Sequence, residues 1–150
     1  MTIEQAIAKR VEQILAESPG GVAVSVDILP ESPEYPAVCV WLVDEQANYT
    51  LEGTTRLCSA LVQVDAFAYE ANGNDPYADA TELAQRINGT DANQAGLSGW
   101  RGSVDADDAS PPRQFEVLGC FRVDRRRQYD PDAVRIVTVQ QDYRCWYRPD

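Results

Sequence analysis

Apolar side chains recur along this chain with two different periods, and the changes of period mark out its elements. Ile3, Ile7, Val11, Ile14 and Leu15 fall on one stripe at helical spacing, which predicts a helix over residues 2–17. Thr2 followed by Gln5 makes a capping box that occupies the free amides of the first turn. Ser18-Pro19-Gly20-Gly21 stops the helix. The period then becomes two. Val22, Val24, Val26 and Ile28 place a strand over 22–29, and Pro30, Pro33 and Pro36 make an extended acidic connection, since proline donates nothing to a ladder. Residues 37–43 read as a second strand, apolar on both faces, which suits a strand that is central or covered. A glycine turn within 48–55 leads to a long third strand, Leu57 to Tyr69.

A second helix starts at Asp75-Pro76, where aspartate caps and proline suits the first helical position. Its stripe is Tyr77, Ala80, Leu83, Ala84 and Ile87, and Asn88-Gly89 ends it. Residues 90–113 are weakly patterned, rich in Gly, Ser, Ala and Asp, with Trp100 as their one aromatic side chain. Two alternating runs close the chain, 115–123 and 134–147, joined by Arg125-Arg126-Arg127-Gln128-Tyr129-Asp130-Pro131-Asp132. On the first, Phe115, Val117, Phe121 and Val123 are expected to oppose Glu116, Cys120, Arg122 and Asp124. On the second, Val137, Val139, Tyr143, Cys145 and Tyr147 oppose Thr138, Gln140, Asp142, Arg144 and Trp146. On the third strand Cys58, Ala60, Val62, Val64, Ala66 and Ala68 form a run of small apolar groups suited to close helix docking. The expected fold is α+β: an antiparallel or mixed sheet of about five strands, two helices on one face, and an open mixed face carrying Phe67, Tyr69 and Trp146. One domain is expected over residues 1–150, with a long irregular loop at about 90–113.

Charge adds an asymmetry. The net charge is −11; residues 1–75 carry 3 basic and 12 acidic groups, and residues 76–150 carry 10 and 12. So acidic a chain repels phosphate backbones, which argues against sequence-independent nucleic-acid binding. The uneven distribution suits head-to-tail contact between copies, or simply solubility. No apolar run is long enough to cross a bilayer, so no membrane partner is expected. Residues 1–15 lack the pattern of a secretory signal, and the chain is expected in the cytoplasm at synthesis.

Candidate chemistry is thin. The chain has no histidine, which removes the usual Ser-His-Asp and Cys-His systems and imidazole metal sites. Cys39, Cys58, Cys120 and Cys145 form no C-x-x-C pair and each lies in an apolar stretch, as buried reduced cysteines do. There is no P-loop or dinucleotide fingerprint. Asp105, Asp107 and Asp108 could gather a hard cation, but their spacing is not that of a calcium loop, and a solvated acidic loop is the expectation. No catalytic residue, metal ligand or cofactor is assigned. Arg125 and Arg127 share one strand face, Arg126 the other, and the cluster reads as a subunit contact or as a solvated face. Trp100 is either a plug folded back on its own domain or an anchor for a partner. The candidate contact residues are therefore Arg125, Arg127, Phe67, Tyr69, Trp100 and Trp146.

The order of elements, the strand Ala60-Leu61-Val62-Gln63-Val64-Asp65-Ala66-Phe67-Ala68 and the ending Asp142-Tyr143-Arg144-Cys145-Trp146-Tyr147-Arg148 resemble the tail completion, or tail terminator, proteins of long-tailed bacteriophages and prophages. The resemblance spans most of the chain and is weakest over 90–113. It implies a non-enzymatic virion protein at the head-proximal end of the tail. It would assemble as a homo-oligomeric ring, typically a hexamer, that caps the tail tube protein, ends polymerisation and docks a head-neck connector or stopper protein. DNA would only pass through the lumen. The alternatives are another head-tail neck component, such as a head-completion protein, a small cytoplasmic ligand-binding domain, or a carboxylate-dependent enzyme.

Overall fold

The computed structural model describes residues 1–16, 21–50, 53–89, 96–106, 113–130 and 133–148. Helix α1 spans Ile3–Leu15. Strands β1 (Ala23–Val26), β2 (Ala37–Thr50) and β3 (Gly53–Tyr69) follow. Then come helix α2 (Pro76–Asn88) and strands β4 (Gly102–Ala106), β5 (Arg113–Asp130) and β6 (Ala133–Arg148). Among the described residues the strands form one six-stranded sheet in the order β1-β2-β3-β6-β5-β4. β1 runs parallel to β2, and every other neighbouring pair is antiparallel. The class is α+β, as the periodicity predicts, with a mixed sheet and one strand more than expected.

Both helices lie on one face, α1 against β1 and β2, α2 against β3 and β6. The capping box at Thr2 is formed in full, and Asp75 caps α2 with Pro76 at its start. Ile3, Ile7, Val11 and Leu15 of α1 meet Ala80, Leu83, Ala84 and Ile87 of α2 over the small side chains of β3 and the inner row of β6 in one core cluster. Polar groups fix the docking of α2. Gln141 Nε2 donates to the Ala84 carbonyl at 2.9 Å, and the Tyr143 hydroxyl donates to Asn88 Oδ1 at 3.0 Å. Buried groups of this kind must be paired, so they favour one helix position over its neighbours.

Two expectations are corrected. The extra strand, β4, lies inside the segment expected to be irregular. Among its described side chains one apolar residue, Val104, is buried, too little to show a period, and the strand forms against the first part of β5, which offers an unpaired ladder edge. Just before it, the free carbonyls at the end of α2 accept from the next loop. Leu97 N reaches Ile87 O at 2.8 Å and Ser98 N reaches Asn88 O at 3.0 Å, while Gly99 N donates to Cys120 O at 2.7 Å. The second correction concerns β5. Its pairing with β6 skips a residue at Leu118 and again at Val123. Each bulge shifts the following side chains by one position, so the plain alternation fails. Cys120 is buried opposite Cys145, whereas Phe121 and Val123 are exposed. The second strand also runs further than its apolar pattern, to Thr50, because the β2–β3 ladder continues past Cys58, where β6 ends.

Candidate functional site

The face opposite the helices carries the unusual chemistry. Reading across β2, β3, β6 and β5, its rows are Ala37–Phe67–Thr138–Gln128, Cys39–Asp65–Gln140–Arg126, Trp41–Gln63–Asp142–Asp124, Asp44–Leu61–Arg144–Phe121 and Gln46–Ser59–Trp146–Gly119. No helix covers this face among the described residues. Its middle is nevertheless buried: Cys39 is fully inaccessible and Asp65 is 4% exposed. Gln63 Nε2 donates to both oxygens of Asp65, at 2.9 and 3.1 Å. Burial dominates and raises the Asp65 carboxyl to about 6, and the Asp142 charge adds to the rise. The Gln63 amide, the Trp41 indole and Arg126 pull the other way. Among the described residues Trp41 Nε1 meets no acceptor within bonding geometry. Burial also pushes the Cys39 thiol up to about 11, with Asp65 and Asp27 reinforcing it, so this cysteine is a protonated apolar filler.

Next to Asp65 stands an ion-pair group. Arg126 bridges Asp142 at 3.1 Å and Asp124 at 3.6 Å. At the far end Phe121 and Trp146 meet edge to face with centroids 6.1 Å apart, both partly exposed. The face thus combines a rigid polar centre with an aromatic margin, a composition suited to contact with another protein.

The sequence-derived contact residues do not converge on one place. Phe67 and Trp146 lie on the open face but at opposite ends of it. Tyr69, at the end of β3, stacks on Tyr35 at 5.5 Å. Arg125 and Arg127 register with Gln141 and Val139, on the helix side of β5, so the pair shares a face as strand geometry requires. Trp100 is 6% exposed, with the Arg10 guanidinium over its ring at 5.4 Å. Its ring packs against its own domain. Of the acidic loop, Asp105 lies on β4 and accepts from Gln114 at 3.2 Å; Asp107 and Asp108 lie outside the described residues. The residues missed in sequence are Trp41, Asp65, Phe121 and Asp142. Asp65 carried a signal, an acid inside the apolar run 60–68. Phe121 carried none, because the bulge that exposes it has no pattern.

A cleft of about 350 Å³ lies at the other end of the fold, between Tyr35, Pro36, Tyr69, Asn74 and the Asp79, Glu82 and Arg86 side chains of α2. Asn74 Nδ2 occupies Asp79 at 2.7 Å. Among the described residues, no group of three His, Cys, Asp or Glu side chains is placed to hold a metal ion. No helix there is long and apolar enough to cross a membrane.

The fold defined by this sheet and its two helices is shared with a solved virion component. A chain in the virion of a native gene transfer agent particle aligns with 99% of this chain and 100% of its own length, at a TM-score of 0.56 and 15% identity. At that identity the likeness is one of fold. No protein-family model matches the chain, and no curated protein sequence matches it.

Proposed function

We propose that this protein is a structural component of a phage-like virion, and more particularly that it forms the ring that terminates the tail tube. The observation that carries the broader reading is the end-to-end match of its fold with a virion chain, which leaves no large part of either chain unaligned. The narrower reading rests on the resemblance of the 60–68 strand and the 142–148 ending to tail terminators. It is supported by a sheet with a half-apolar face that no helix covers among the described residues. A ring needs two unlike, complementary surfaces on each subunit. The unequal charge balances of the two halves supply the raw material for them. In this reading the partners are sister copies, the tail tube protein and a head-neck connector or stopper, with DNA in transit through the lumen. The location is the head-proximal end of the tail.

Negative-stain microscopy of the purified full-length protein, alone and mixed with polymerised tail tubes, tests the reading. Rings, or caps at one end of the tubes, are expected. A protein that forms no ring and leaves tube length unchanged overturns it. A small cytoplasmic binding module would instead bind a ligand as a monomer through the Tyr35–Tyr69 cleft.

A further inference from the structure

The sheet ends in two unpaired edges of opposite charge. Among the described residues β1 pairs with β2 only through Val40, which leaves β2 a free edge from Trp41 onward. On the other side, again among the described residues, β4 pairs with β5 only through Val117, which leaves β5 a free edge from Phe121 to Gln128. Long free edges invite pairing with other chains, and native proteins cover or use them. Of the exposed large apolar side chains among the described residues, most lie at these two places. Phe121 (47% exposed) and Val123 (59%) stand on the β5 edge. Val43 (54%) stands on the β2 edge. Ile28 (76%) joins it, because Asp27 N donates to Val40 O at 2.9 Å and sets Ile28 beside the start of that edge.

Charge separates the two edges. Residues 21–47 contain five acidic side chains and no basic one. Residues 121–128 contain four arginines and one aspartate. Arg126 is held by Asp124 and Asp142, and Arg122 donates to Gln141 at 3.1 Å. Arg125 and Arg127 meet no carboxylate within ion-pair distance among the described residues. Each edge therefore has an exposed apolar pair inside a rim of one sign. One chain cannot join them, because they lie at opposite sides of the same sheet.

We infer that a second copy of this chain is the occupant: the Phe121–Val123 edge with Arg125 and Arg127 docks on the Ile28–Val43 edge of the next copy, where Asp44 and Glu45 follow Val43 along β2. Opposite rims fix register and orientation while the apolar pairs are buried between them. Such a contact is head-to-tail, and it repeats around a ring or along a filament. The inference rests on the ring reading above and names the surfaces of its subunit contact.

Charge reversal in trans tests it on the full chain. Sedimentation velocity over rising concentration, in low salt, compares the wild type with Arg125→Glu/Arg127→Glu and with Asp44→Arg/Glu45→Arg. All four positions lie outside the core, and circular dichroism checks that the fold is kept. Each double variant alone is expected to associate at least roughly tenfold more weakly, because like charges then face each other. An equimolar mixture of the two is expected to regain association, since every contact between unlike copies again joins opposite charges. Val123→Asp is expected to weaken association with no rescue by either partner. Double variants that associate like the wild type, or a mixture that stays dissociated, overturn the edge contact. So do a wild type that is monomeric at every concentration and one that associates only with another virion protein. Rings that persist in the double variants sink this contact and leave the ring reading standing. Loss of tube capping by the wild type sinks that reading itself.

Discussion

Asp65 is the clearest case of a single side chain set by its surroundings. It sits in the centre of the sheet face that no helix covers among the described residues, held by Gln63 and raised to about 6 by burial. In the unfolded chain an aspartate titrates near 3.9, so between about pH 4 and 6 the folded state holds more protons than the unfolded one. Stability from this group is therefore fully present below that window and is lost as pH rises through it. Asp65→Asn is expected to flatten this fall and to add about 1–2 kcal/mol at neutral pH. Urea unfolding of both proteins at about pH 4 and about pH 7 checks it. An unchanged slope would assign the acid dependence to other carboxyls. The residue was visible as an oddity in the 60–68 run, but its neighbours Trp41 and Asp142 come from two other strands, and no local pattern brings them together.

Among the elements, the two helices and the long strands were legible from the sequence because each carries at least four apolar residues in period and a definite cap or turn. Thr2, Asp75 and Gly89 mark helix ends in the chain and do so in the fold. β4 was not legible, since five residues with Val104 as their one large apolar side chain hold no period. Its approach depends on Gly96. A Cβ there would overlap the Asn88 carbonyl and the Gly89 nitrogen, both backbone atoms that cannot swing aside. Gly96→Ala is expected to cost about 1–3 kcal/mol, the range of an overpacked site, and to loosen the 97–100 loop that carries Trp100. Urea unfolding followed by tryptophan fluorescence measures both effects, and a cost below about 0.5 kcal/mol would show that the loop gives way freely. The bulges at Leu118 and Val123 escaped detection for a different reason. A bulge adds one residue to the ladder, and only the partner strand reveals which one is extra.

For the whole molecule, the uneven charge of the two halves becomes a spatial fact. The acidic 21–47 segment forms one side of the sheet and the arginines of β5 lie near the other. Self-association through these sides is expected to weaken as salt rises, because exposed charges separated by more than about 10 Å are screened at 0.1 M ionic strength. Sedimentation at several salt concentrations measures this. Association that strengthens with salt would point instead to the apolar margin around Trp146 and Phe121 as the main contact. The open face and the edges together give the molecule more than one surface to offer, which the ring proposed above needs.

Periodicity, caps and turn residues act over a few neighbouring positions, so the chain alone was enough for the α+β class, both helices, the inner rows of β3 and β6 and the small-residue floor on which the helices rest. The parallel pairing of β1, the existence of β4, the side on which Phe121 emerges and the burial of Asp65 depend on which strands become neighbours. Those pairings join residues far apart in the chain, and their energies belong to the assembled sheet, where a single extra residue in one strand reverses what faces the core and what faces a partner.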